Sequence, residues 1–180
     1  EGGPRGPGHA ALLERVDESG MLSFCPARDA PVGPWGEHLR SGAFGVAKAS
    51  LADGSIPQRL ILDRRRANAM EEALGASRDL FPHSVLLCEI GLGPDEVLRG
   101  SGDDLANFYH TIGCGRQRTL RNQLGPAVRA KFVCHLASFR EALARGWVSG
   151  DPDELVQPLL TSLPMGDVNA TDIAQIGHVN

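Results

Sequence analysis

The sequence predicts an α+β domain in which short strands pack with helices. Short apolar runs bounded by turn residues have the length and composition of strands, as in residues 59–63 (RLILD) and 84–90 (SVLLCEI). Between residues 127 and 146, apolar side chains instead recur at helical spacing. The chain has 180 residues, which is the length of one ordinary domain that can bury a core.

The first forty residues predict one helix and a long loop. Residues 1–9 are polar and rich in Gly and Pro, so we expect a disordered lead-in. Residues 10–21 carry apolar side chains near helical spacing, with Gly20 as a terminator. Residues 22–40 contain three prolines, and we expect a loop there with Trp35 packed in the core.

The middle of the chain predicts a β-hairpin and two further elements. Residues 42–50 and 59–63 are expected to form paired strands, with a turn at residues 53–55 (DGS). Asn68 can cap a short helix over residues 69–74. Residues 84–90 form an apolar run with the length of a buried strand.

The C-terminal third predicts two helices and an edge strand. Residues 127–146 are expected to form one amphipathic helix, with Gly146 just past its end. Pro158 cannot donate a ladder hydrogen bond, so residues 155–163 are expected to form an edge strand or a bent approach. From residue 167 onward, a loop is expected to enter a helix.

Charge and cysteine usage limit the class of protein. The net charge is −4, yet residues 111–145 hold seven basic residues and one acid, Glu141. Such a stretch either contacts phosphate groups or forms a solvated face. No run approaches the ~20 apolar residues that a membrane span needs. The four cysteines are far apart, so neither a zinc site nor a disulfide framework is indicated, and reduced, intracellular thiols are expected. Whether the location is cytoplasmic or nuclear stays open.

Three segments carry polar residues at notable spacings. The first has Arg59, Asp63, Arg65 and Asn68, and the second reads Asp104-Leu105, three residues, Tyr109-His110, one residue, Ile112. The third reads Leu163-Pro164-Met165-Gly166, two residues, Asn169-Ala170, then Gln175. Taken singly, each is also compatible with an ordinary turn or helix start.

In this order, the segments resemble the reverse transcriptases of retroviruses and long-terminal-repeat retrotransposons. The resemblance runs from about residue 10 to residue 180. Thr171 stands where the family usually has Pro, and Ala174 where it usually has Phe. The third palm motif of the family, an aromatic residue followed by one residue and Asp-Asp, does not occur after residue 175.

The resemblance implies a fold and an activity. It divides the chain into a fingers-like region at residues 10–82 and a partial palm at residues 83–180, with an inserted helix at about 127–146. The activity would be the addition of deoxynucleotides to a primer on an RNA or DNA template, with Mg²⁺ or Mn²⁺ as cofactor. The expected partners are template-primer, deoxynucleoside triphosphates and the remainder of a larger polyprotein, with no membrane.

The resemblance also assigns roles to residues. Asp104 would be the catalytic carboxylate and a metal ligand on a strand, joined by the backbone carbonyl of Leu105, while Asp103 would face the other side of that strand. Arg59 would lie over the triphosphate, and Arg65 would either do the same or pair with Asp63. The remaining assignments are Tyr109 under the sugar, Met165 and Gly166 lining the nucleotide pocket, and Gln175 and Asn169 at the template or in structural roles.

Two alternatives stay open at this point. The chain could be an inactive retroelement remnant or a nucleic-acid-binding module. It could also be an unrelated α/β domain in which Asp103 and Asp104 merely form a turn, which a large separation of Arg59 from Asp104 would support. Because the third palm motif is missing from these residues, we expect no primer extension by this 180-residue chain alone.

Overall fold

A three-stranded antiparallel sheet and a separate two-stranded hairpin form the β part of the fold. The computed structural model describes residues 7–75, 85–102, 105 and 107–179. Its strands are β1 Leu22–Pro26, β2 Gly42–Ala47, β3 Gln58–Asp63, β4 Val128–Arg129 and β5 Leu155–Leu160. Its helices are α1 Pro7–Glu18, α2 Arg65–Asn68, α3 Val85–Cys88, α4 Phe108–Thr111, α5 Arg116–Arg121, α6 Ala137–Ala144 and α7 Ala170–Val179. The predicted α+β class is confirmed.

The three-stranded sheet holds most of the core. Its strand order is β1-β5-β4, so β5 is central. Phe24 on β1 meets Phe139 on α6 edge to face at 5.6 Å between ring centroids, a favourable arrangement for two aromatic rings. Leu13 and Val16 of α1 join the same core, which explains why the apolar positions of that helix recur at helical spacing.

The β2–β3 hairpin confirms the predicted strand pair. Its register runs from Gly42 opposite Asp63 to Ala47 opposite Gln58. The hairpin is largely exposed, and on its two strands only Leu62 is buried. Ser41 fixes its base, because its N–H donates to the Gln123 carbonyl at 2.9 Å.

The helix predicted over residues 127–146 is wrong in its first half. Val128 and Arg129 instead pair with β5, and a 3₁₀ turn follows at Ala130–Phe132. The helix α6 begins at Ala137, where the Asp17 carboxylate of α1 accepts the N–H groups of Ala137 and Ser138 at 2.9 Å each. A distant side chain therefore caps this helix, and no local signal in residues 127–136 could indicate it.

Two predictions for the first forty residues are corrected. Helix α1 already begins at Pro7, so residues 7–9 are helical rather than disordered. Residues 22–26 form the buried strand β1 rather than a loop, with Pro26 at the end of an edge strand, where Pro is tolerated. Trp35 is 86% exposed, not a core anchor, because a tight turn closed by Gly36 N–H on the Gly33 carbonyl holds its ring outside.

Pro158 lies in the central strand, contrary to the predicted edge. The Pro158 carbonyl accepts the N–H of Leu124 at 2.8 Å. Because the nitrogen and the carbonyl of a strand residue point to the same side, the Pro158 nitrogen, which carries no hydrogen, faces the same neighbouring segment. On this side of β5 the partner changes from β4 to residues 122–124, and Gly125 turns between them with φ +62°. The missing hydrogen bond therefore falls at a break in the ladder.

Two short helices also differ from expectation. The helix predicted over residues 69–74 occurs earlier in the chain, as α2. It begins directly after β3, where the Asp63 carboxylate accepts the Arg65 N–H, and the Asn68 side chain donates to the Gly166 carbonyl instead of capping a helix. Residues 85–88 form a helical turn rather than a buried strand, with Val85 exposed. Among the described helices, none has both the length and the apolar character needed to cross a membrane.

Candidate nucleotide-binding site

A cavity of about 850 Å³ lies between the β2–β3 hairpin and α4. Four parts of the chain line it, namely Met21, the hairpin, Leu105 with residues 107–110, and the turn at Met165. We call it the Arg59 cavity. Its lining residues are Met21, Lys48, Gln58, Arg59, Leu60, Leu105, Asn107, Phe108, Tyr109, His110 and Met165.

The hairpin brings two cations to this cavity. Arg59 lies opposite Val46 in the strand register, and Lys48 follows β2 directly, with its N–H bonded to the Pro57 carbonyl at 2.8 Å. Both side chains are exposed, and neither takes part in an ion pair within the described residues. Unpaired guanidinium and ammonium groups at one cavity favour an anionic ligand such as a phosphate chain.

An unusual backbone conformation positions the aromatic wall. Asn107 has φ +54°, in the left-handed region that Asn tolerates better than most residues. The chain then turns into α4, which places Phe108 and Tyr109 with ring centroids 6.0 Å apart. Residues 108–111 are therefore helical, and the strand expected at Asp103 and Asp104 lies outside the described residues.

His110 is partly buried at the same cavity. Its Nδ1 lies 3.3 Å from the Ser162 hydroxyl, and Ser162 in turn donates to the Met21 sulfur at 3.4 Å. Burial lowers the pKa of His110 below its usual value, so the imidazole is neutral near pH 7. This environment indicates a packed, hydrogen-bonded residue rather than an acid–base catalyst.

The turn that carries Met165 is held by its neighbour Gly166. Gly166 has φ +93°, and a side chain there would meet the Leu62 carbonyl at 3.5 Å. Asn68 donates to the Gly166 carbonyl at 2.8 Å and accepts the Val168 N–H at 3.2 Å. The first and third sequence segments are thus bonded to each other, although about 100 residues separate them.

A buried ion network lies behind this turn. Arg64 contacts Asp167 at 2.9 Å and Glu71 at 3.3 Å, and Arg118 contacts Glu71 at 2.6 Å and also pairs with Asp167. Arg64 donates to Asn122 at 2.9 Å as well. Burial lowers the pKa of Arg64, while the attraction of Asp167 and Glu71 opposes that shift. We call Arg64, Glu71, Arg118 and Asp167 the buried ion network.

Sequence reasoning missed this network. Its members come from the end of β3, the segment after α2, helix α5 and the turn after Pro164. Three consecutive arginines at 64–66 were the available signal, but only the fold shows that Arg64 points inward. The network is well placed to hold Met165 and Arg59 in a fixed relation, because it joins the elements that carry them.

Four of the predicted site residues line the Arg59 cavity, namely Arg59, Leu105, Tyr109 and Met165. The other predicted residues that the structure describes do not line it. Arg65 pairs with Asp63 at 2.6 Å, and bonds from Arg65 hold the pKa of Asp63 at about 2. Arg65 therefore pairs with Asp63, which is one of the two roles predicted for it.

The remaining predicted residues take other positions. Asn169 binds the backbone of Glu72 and Leu74 at 2.9 and 2.8 Å, which is a structural contact. Gln175 lies partly buried in α7 and does not line the cavity. Asp104 and Asp103 lie outside the described residues. Leu105, which follows Asp104 in the chain, lines the same cavity as Arg59.

The described wall of the Arg59 cavity does not by itself fit a divalent cation. Its polar groups are cations, amides, a phenol and an imidazole, with no carboxylate among them. Mg²⁺ prefers carboxylate oxygens, and no cluster of three acidic, His or Cys side chains suited to a metal occurs in the part of the chain that the structure describes. What this wall can do chemically is bind phosphate and stack against a sugar or base.

Comparisons with protein-family models, with curated proteins and with solved structures found no match for this chain.

Proposed function

We propose that the Arg59 cavity binds the incoming deoxynucleoside triphosphate of a reverse transcriptase, with residues 10–82 as fingers and residues 83–180 as part of the palm. One observation supports this assignment above the others. Arg59, Leu105, Tyr109 and Met165 were selected by residue type and order in the sequence, and all four line one cavity. Unrelated turn residues would have no reason to converge in this way.

Each group at the cavity has a role in nucleotidyl transfer. The 3′-hydroxyl oxygen of the primer bonds to the α-phosphorus and gives up its proton to solvent, while the bond from the α-phosphorus to the oxygen that bridges to the β-phosphorus breaks and pyrophosphate leaves. Arg59 and Lys48 would balance the negative charge of the triphosphate and of the leaving pyrophosphate. Asp104 and the Leu105 carbonyl are the proposed ligands for Mg²⁺ or Mn²⁺.

Tyr109 would face the sugar of the nucleotide. A ring packed against C2′ leaves no room for a hydroxyl, the group that distinguishes ribonucleotides from deoxyribonucleotides. Its half-buried position beside Phe108 keeps the ring from swinging away. Met165 adds a flexible apolar surface on the far side of the same cavity.

The test is nucleotide binding by the Arg59→Ala variant. Equilibrium dialysis with labelled deoxynucleoside triphosphate measures the Kd directly. Loss of a charge-assisted phosphate contact should raise the Kd about tenfold or more, since such contacts contribute about 1.5–3 kcal/mol. Arg66→Ala is the matched control, because Arg66 is exposed, close in sequence and outside the cavity.

Equal binding by the wild-type protein and Arg59→Ala would contradict this assignment. A nucleic-acid-binding module without a nucleotide site gives a different pattern. In that case an RNA or DNA oligonucleotide would bind, deoxynucleoside triphosphate would not compete for it, and Arg59→Ala and Arg66→Ala would weaken oligonucleotide binding to a similar extent.

A further inference from the structure

A second cavity, of about 370 Å³, lies where helices α5 and α6 meet the start of β1. It shares no lining residue with the Arg59 cavity. We call it the Trp147 cavity. Its lining residues are Gly20, Leu22, Ser23, Cys114, Arg116, Thr119, Ser138, Glu141, Ala142, Arg145, Trp147 and Thr161.

Two arginines contact the Trp147 ring in this cavity. The guanidinium carbon of Arg116 lies 4.0 Å from the ring centroid, and that of Arg145 lies 4.8 Å from it. Cation–π contacts of this kind orient a guanidinium without using its N–H groups. The N–H groups of a guanidinium held in this way can still donate to other partners.

The two arginines differ in how their charge is balanced. Arg145 bonds to Glu141 at 2.6 Å, and Glu141 is the one carboxylate among the lining residues. Arg116 takes part in no ion pair within the described residues, and its Nη1 is buried without a hydrogen-bond partner. Burial raises the pKa of the neighbouring Cys25 thiol to about 11, so that thiol is neutral and does not balance Arg116.

Several basic residues of the stretch 111–145 are paired with carboxylates of the protein. Arg118 belongs to the buried ion network, and Arg129 and Lys131 both contact Asp153. These charges are balanced by protein carboxylates. Arg116 is the member of the stretch that lines the Trp147 cavity without an ion pair among the described residues, and its buried Nη1 has no hydrogen-bond partner.

We propose that the Trp147 cavity binds a phosphate group through Arg116. An unpartnered buried donor carries a desolvation cost that a charged acceptor removes. The planar guanidinium fork matches two phosphate oxygens, and hydroxyls at Ser23 and Thr161 in the wall supply further donors. The phosphate is either the monoester of a nucleotide or a backbone diester of single-stranded RNA, and binding does not depend on nucleotidyl transfer at the Arg59 cavity.

Tryptophan fluorescence tests the proposal directly. The chain has two tryptophans, so the Trp35→Phe background leaves Trp147 as the single reporter. This protein is titrated with inorganic phosphate, with a nucleoside monophosphate and with a single-stranded RNA oligonucleotide, at constant ionic strength. We expect a saturable change with at least one of them, and the tightest binder identifies the source of the phosphate.

Arg116→Gln in the same background should weaken that binding about tenfold, since it removes a charge-assisted contact. Arg140→Gln is the control, because Arg140 is exposed on α6 and does not line the cavity. Modification by phenylglyoxal gives a second readout that needs no variant. Phosphate should slow the reaction of Arg116 and leave that of Arg140 unchanged, as measured by mass spectrometry.

Two results would overturn the proposal. One is the absence of any saturable response to all three titrants together with unprotected Arg116. The other is an equal response in the Arg116→Gln and Arg140→Gln proteins, since a general salt effect acts on both alike.

Discussion

We expect two partly buried histidines to make the stability of this protein sensitive to pH. Burial lowers the pKa of His9 and of His110 below the usual value. His110 lies against Ser162, and His9 lies beside the backbone of Gly125. Neither contact supplies a negative charge that would favour the protonated imidazole.

The sign of the effect follows from proton uptake on unfolding. An unfolded His takes up a proton near pH 6.5, while the folded one resists it to lower pH. The contribution to stability is therefore complete above about pH 6.5 and is lost as the pH falls towards the folded pKa values. We expect the urea midpoint to decline between pH 7 and pH 5.5, above the range where carboxylates titrate.

Substitution identifies the groups responsible. His9→Gln and His110→Gln should each make the urea midpoint fall less steeply as the pH is lowered, and the double variant should show the smallest fall. A slope in the double variant equal to that of the wild type would show that other groups set the pH dependence.

The three consecutive arginines at 64–66 show what residue types alone can predict. Arg65 and Arg66 are exposed, whereas Arg64 is 2% exposed. The Asp63–Arg65 pair could be foreseen because both residues are local. The inward position of Arg64 could not, because it depends on Asp167, which is about a hundred residues away and reaches Arg64 only in the fold.

At the scale of elements, the buried ion network joins β3, α5 and the turn that carries Met165. Its charges are balanced only as a set, since Asp167 faces both Arg64 and Arg118. Removing one carboxylate leaves buried guanidinium groups without compensation. The Met165 turn would then lose its fixed position relative to the hairpin.

A matched pair of substitutions tests this role. Asp167 and Asp153 each contact two basic side chains, but the Asp167 side chain is fully buried and that of Asp153 is 65% exposed. Asp167→Asn should lower the free energy of unfolding by about 3 kcal/mol. Asp153→Asn should lower it much less, because solvent screens the exposed pair. Urea denaturation measures both, and losses of similar size would contradict a special role for the buried ion network.

Elements with local signals were predictable, and elements defined by distant partners were not. The β2–β3 hairpin, α1 and α7 follow from turn residues and apolar spacing. Helix α6 begins where Asp17 caps it from another helix, so the sequence of residues 127–136 gives no warning. Likewise, β1 is a strand because its five residues are buried against β5.

At the scale of the whole molecule, the α+β class could be predicted but the sheet order could not. In the order β1-β5-β4, the β1–β5 pair joins residues that are more than 120 apart in the chain, and no local pattern encodes that pairing. The same long-range folding assembles the Arg59 cavity from Met21, the hairpin, Leu105, residues 107–110 and Met165. Four residues that the sequence motifs assigned to a site, namely Arg59, Leu105, Tyr109 and Met165, lie in its wall.

We propose that the Arg59 cavity holds the sugar of a deoxynucleotide against Tyr109, next to a catalytic carboxylate at Asp104. The most direct measurement is primer extension on an RNA template by the natural polypeptide that carries this chain. The readout is the preference for deoxyribonucleotides over ribonucleotides. Asp104→Asn should abolish extension, and Trp35→Ala, which alters an exposed ring outside the cavity, should leave both rate and preference unchanged.

Tyr109→Ala should keep extension with deoxyribonucleotides and reduce the preference about tenfold, which corresponds to ~1.4 kcal/mol of lost discrimination. An unchanged preference in Tyr109→Ala, or extension that persists in Asp104→Asn, would contradict the account.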